Sequence, residues 1–140
     1  MSSVPSDLYD RVLQLATDLT NASEADDSLA YGEHFSELKA LYEERRSLGA
    51  PHPFLTEALA DYTNDPEASA ALYILAIEQA ANFADETTYT KHISLAETLI
   101  SLGRQADARE HLAIGQQQAR SAGDSFWVNN AAEFSRTLVS

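Results

Sequence analysis

An all-α fold follows from three features of the sequence. Apolar residues recur every three or four positions through most of the chain, and no segment alternates apolar and polar as a half-buried strand would. The clusters of proline, glycine and aspartate that interrupt this pattern fall at helix-length intervals. The chain of 140 residues is long enough for one domain with its own core, and with no cysteine that core has no disulfide, zinc thiolate or reactive thiol to lean on.

Leu8, Val12, Leu15 and Leu19 lie on one side of a first helix beginning near Ser6, and residues 1–5 ahead of it are expected to be flexible. Asp26, Asp27 and Ser28 offer an N-cap to a second helix, in which Tyr31, Phe35, Leu38 and Tyr42 repeat the spacing until "SLGAPHP" ends it. Phe54, Leu55, Ala58, Leu59 and Tyr62 fit a short third helix, after which Asp65 caps and Pro66 opens a fourth. That fourth segment, about 66–83, contains "AALYILAI" and is apolar nearly all round, which predicts a buried central element. A fifth helix over 87–102 carries Tyr89, Ile93, Ala96, Leu99 and Ile100, and a sixth over 105–121 carries Ala108, Leu112, Gly115 and Ala119. The seventh follows "AGD" with Trp127, Ala131, Phe134 and Leu138 on one face.

Charge is unevenly placed. The formal net charge is −13, and residues 1–90 hold 17 of the 22 acids but four of the nine bases, so the entire excess lies there. No Lys or Arg occurs between Arg46 and Lys91. Such a field disfavours nucleic acid and anionic membranes and speeds encounter with a basic partner. The opening "MSSVPSDLYD" lacks the basic cluster and apolar core of a secretory signal, and the longest apolar run is too short to span a bilayer, so a soluble cytoplasmic protein is expected.

The stretch "LISLGRQADAREHLAIG" decides how the helices pack. Leu95, Ala96 and Leu99, then Gly103, then Ala108, Leu112 and Gly115 alternate large and small residues around a turn, so that two backbones approach closely while leucines fill the seam. This pattern resembles a tetratricopeptide (TPR) repeat over about 89–122. It continues with Trp127, Ala131 and Phe134, matches backward with Leu55, Leu59, Ala68 and Leu72 at a longer spacing, and fits residues 6–48 loosely; Arg120 stands where the family often has proline.

The resemblance implies stacked helix hairpins with a closing C-terminal helix, and a concave groove that holds a peptide or helix of a partner protein. Carried onto this chain, the groove comprises Thr90, Ile93, Glu97, Ile100 and Ser101, then Ser125, Val128, Asn129 and Arg136. The basic set with which chaperone-binding members clamp a carboxylate is replaced here by Ile93 and Glu97, which disfavours a chaperone cofactor. The alternative is an inhibitor, of the immunity or antitoxin kind, that covers a basic protein with its acidic patch of Asp26, Asp27, Glu33 and Glu37. A second copy of the chain is a further possible partner, covering an apolar edge of the first hairpin.

Nothing in the sequence predicts catalysis, a cofactor or a bound metal. The chain has no HExxH, glycine-rich phosphate loop or GxSxG elbow, and His34, His52, His92 and His111 lie in separate segments. Glu33, His34 and Glu37 share a helical region where a metal or proton-transfer site is conceivable, yet flanking carboxylates are the ordinary setting of an exposed helical histidine. The same reading applies to Glu110 and His111.

Overall fold

The punctuation in the sequence sets the helix ends. The computed structural model describes residues 6–138, so the flexibility expected of residues 1–5 lies outside it. Among the described residues are seven helices and no strand: α1 (Ser6–Glu24), α2 (Ser28–Ser47), α3 (Pro53–Tyr62), α4 (Pro66–Ala80), α5 (Tyr89–Ser101), α6 (Gln105–Ala122) and α7 (Ser125–Arg136). The Asp27 carboxylate accepts the Ala30 N–H at 3.1 Å, and the Asp65 carboxylate accepts the Ala68 N–H at 3.0 Å. His52 caps α3 in the same way, its Nδ1 accepting the Phe54 N–H at 3.1 Å. Gly103 takes φ 77°, which lets the Arg104 N–H reach the Leu99 carbonyl at 2.9 Å and close α5.

Cross-helix bonds show that consecutive helices run antiparallel. In α1–α2, Arg11 pairs with Glu37 while Asp18, nearer the turn, faces His34. In α3–α4, the Ser69 hydroxyl donates to the Ala60 carbonyl near the turn, and Thr56 donates to Gln79 farther out. The α5–α6 pair packs most extensively, and α7 lies against both of its helices.

The odd-numbered helices share one side of this stack. α1 packs on α3, α5 packs on α7, and α3 is joined to α5 by bonds from Glu57 to Thr90 and Lys91. No packing of that extent links the even helices to one another among the described residues. Two core clusters result: one is centred on Val12, Leu15, Leu19, Leu38, Leu55 and Leu59, the other on Tyr73, Ile93, Leu95, Leu99, Leu112 and Ala131. Leu72 on α4 touches both and joins them.

The small residues at the α5–α6 seam are where the sequence put them. Ala96 and Ala108 have no exposed surface, and Gly115 is buried. A Cβ added to Gly115 would come within 2.6 Å of Ile93 Cγ1 and 3.2 Å of both His92 Cβ and the Tyr89 carbonyl oxygen. Two expectations are corrected. α4 is not enclosed: Tyr73 and Ala76 are buried, but Ala71, Ile74 and Glu78 face outward, because α4 is covered by α3 and α5 and by no third helix to a similar extent. Ala68 is exposed, and Ser69 and Ala70 occupy the seam with α3 in its place.

Candidate functional site

The residues proposed to line a groove separate into core and surface. Ile93 is completely buried beneath Gly115 and cannot meet a partner; the one-residue difference between Ile93 and its neighbours rotates it into the α5–α6 seam. Ile100 is half-buried against the same core. Thr90 and Glu97 remain on the odd-helix side, with Thr90 donating to the Glu57 carboxylate at 2.7 Å. Ser101, Ser125, Asn129 and Arg136 are exposed, the last paired with Glu133, and the Val128 carbonyl accepts from Gln116. Thr90 and Glu97 thus lie beside residues that the sequence did not single out.

Those residues are Glu57, Asp61, Tyr73 and Lys91. Glu57 and Asp61 stand one helical turn apart on α3 and look across to α5. Lys91 is 1% exposed, and its ammonium lies 3.0 Å from Glu57 and 2.9 Å from Glu86 while donating to the Thr87 carbonyl. It neutralises the base of the cluster from inside the fold. The Tyr73 hydroxyl, from α4, donates to Asp61 at 2.5 Å.

This leaves Asp61 and Glu97 without a cation of their own. Although Asp61 is an exposed residue, its carboxyl leans back onto Tyr73, and desolvation pushes it up to about 7. The Tyr73 hydrogen bond and Lys91 pull it down, while Glu57 and Glu97 push it further up. Glu97 is raised as well, by desolvation. Burial and the neighbouring Asp61 raise the Tyr73 phenol, so it stays a donor.

The raised Asp61 carboxyl makes stability depend on pH. With a folded pKa of about 7 against 3.8 in the unfolded chain, the folded state holds the extra proton between those values, and Asp61 costs stability progressively as pH rises through them. Asp61→Asn is therefore expected to stabilise the protein more at pH 8 than at pH 5. Urea unfolding of both proteins at the two pH values measures this, and an equal gain at each would contradict it.

The acidic patch is less available than its composition suggests. Glu37 is paired with Arg11, Asp27 is engaged in its cap, and Asp26 sits in the turn at φ 55°. Asp26 and Asp27 border an open cavity of ≈340 Å³ between the α1–α2 turn and Asn64, with Tyr31 at its wall. Glu33 is exposed, and His34 lies 3.9 Å from Asp18, so Glu33, His34 and Glu37 do not converge. No helix among the described residues is long and apolar enough to cross a membrane.

The histidines hold the largest surprise. His92 on α5 and His111 on α6 meet with their Nδ1 atoms 3.0 Å apart and their rings stacked, a pairing that the sequence reading did not anticipate. Register carries the signal: Ala96 and Ala108 face each other across the seam, and His92 and His111 each lie about one turn beyond them, away from Gly103. No group of three or more His, Cys, Asp or Glu side chains able to hold a metal occurs among the described residues. No family model, curated protein or solved structure matches the chain.

Proposed function

We propose that the protein is a binding module that holds a basic segment of a partner protein against the face shared by α3 and α5. The observation that carries this reading is the set Glu57, Asp61 and Glu97, in which Lys91 satisfies Glu57 from within while Asp61 and Glu97 are held above their ordinary range. An incoming Lys or Arg would supply the missing positive charge and favour the ionised form of both carboxyls. The helix hairpins support the same reading, since α3 and α5 adjoin where these carboxyls lie. It unites the two sequence-derived ideas of a groove and of a basic partner.

The test compares two sites carrying equal charge. The double substitution Asp61→Asn with Glu97→Gln is expected to weaken binding of a lysine- and arginine-rich peptide at least about tenfold, the scale of one or two charge-assisted bonds. Asp26→Asn with Asp27→Asn, which preserves capping, is expected to change it little. Equal losses in both would mean a diffuse charge effect and would contradict the site.

A second reading, inhibition of a basic protein through residues 26–37, is favoured by the confinement of the whole −13 excess to residues 1–90. It predicts the opposite outcome, with loss confined to the Asp26 and Asp27 variant.

A further inference from the structure

We propose that His92 and His111 form a proton-operated latch: acidification that loads both rings with protons opens the α5–α6 seam and releases α7. The inference is independent of which partner the α3–α5 face receives.

The geometry dictates the proton count. A bond between two Nδ1 atoms at 3.0 Å requires one of them to donate and the other to accept, so the neutral pair holds one shared proton. A first added proton leaves that bond intact, because an imidazolium still donates its Nδ1–H to a neutral neighbour. A second proton puts two N–H donors and two positive charges face to face. At 8% exposure His92 has little water to screen them.

The surroundings decide which ring resists. Desolvation, then His111, then Lys91 lower His92 to about 4. His111 is lowered by desolvation but drawn back up by Glu110 and Asp107 on its own helix, so it is loaded first. No charged group of α4 or α7 acts on either ring; Asp124, at the start of α7, accepts the Tyr89 hydroxyl, and Glu133 pairs with Arg136. The acidic groups that bind Lys91, Glu57 and Glu86, keep its charge in place beside His92.

The seam cannot absorb the repulsion by sliding. His92 Cβ and Ile93 Cγ1 already fill the space over Gly115. α7 depends on this seam, since Ala131 belongs to, and Trp127 packs against, the core cluster to which α5 and α6 contribute Ile93, Leu95, Leu99 and Leu112, and Tyr89, one turn before His92, donates to Asp124 at 2.6 Å. Separation of α5 from α6 therefore exposes the single tryptophan.

The latch is tested on the full chain by following Trp127 fluorescence and histidine ring nitrogen signals from pH 8 to pH 3.5. The expected result is two coupled ring titrations, the second well below the ordinary histidine value, with the fluorescence change accompanying the second. In His92→Phe with His111→Phe, which keeps stacked rings without protons, the fluorescence midpoint is expected to fall by about one pH unit. Two independent titrations near 6.5 in the wild type would overturn the proposal whether or not the double variant folds. So would an unchanged midpoint in a folded double variant, which would assign the transition to the carboxylates.

Discussion

Gly115→Val is expected to lower the unfolding free energy by about 2–3 kcal/mol, the scale of overpacking at a seam that cannot relax. The added Cβ alone meets Ile93 Cγ1 at 2.6 Å, and that atom is near the root of a completely buried, β-branched side chain. The backbone oxygen of Tyr89 at 3.2 Å blocks retreat on the other side. Even Gly115→Ala should destabilise, although alanine is favoured over glycine in a helix by about 1 kcal/mol. Gly32, exposed in the second turn of α2, supplies the control: nothing lies within 4 Å of an added Cβ, so Gly32→Ala should stabilise by about 0.5–1 kcal/mol. Denaturant unfolding of the two alanine variants should give shifts of opposite sign. Stabilisation of both would show that α5 and α6 do not approach as closely as described.

Lys91→Met is expected to be at least as damaging, at about 3–5 kcal/mol, because it leaves buried carboxylates without their counter-charge. Methionine replaces the stem of Lys91 in length and apolar contact, so the loss isolates the ammonium. Glu57 and Glu86 are each less than one-fifth exposed and would face each other and Asp61 with no cation between them. Adding Glu57→Gln and Glu86→Gln to Lys91→Met should recover a large part of the stability, since amides tolerate the site without a counter-ion. Thermal unfolding of the single and triple variants measures this. A triple variant no more stable than the single one would mean that Lys91 acts by packing alone.

The fold was legible because its rules are local. Spacing of Leu8, Val12, Leu15 and Leu19, caps at Asp27 and Asp65, and the turn at Gly103 each depend on residues within a turn or two of one another. The seam at Ala96, Ala108 and Gly115 was also legible, since small side chains on two successive helices have one economical use. The site was not, because it is built between helices. Glu57 on α3, Lys91 on α5 and Tyr73 on α4 meet only once the rotation of each helix is fixed, and an error of one residue turns a groove residue into a core one. Ile93 is that case: periodicity placed it on α5 correctly, and the choice of face failed.

Two signals in the sequence nonetheless pointed toward the site. Lys91 is the only Lys or Arg between Arg46 and Arg104, and a lone base within an acidic segment is more easily explained as a buried counter-charge than as surface decoration. The placement of His92 and His111 about one turn beyond Ala96 and Ala108 was visible too, given the antiparallel pair that the small residues imply. Both require combining a packing argument with a charge argument.

The central claim is that the face of α3 and α5 holds a cationic segment. Its most direct measurement is backbone amide chemical-shift mapping of the full chain titrated with a lysine- and arginine-rich peptide at neutral pH. The account predicts the largest shifts at Glu57, Asp61, Thr90 and Glu97, with residues 26–37 nearly unmoved. Shifts concentrated at residues 26–37, or spread evenly over the acidic surface, would contradict it.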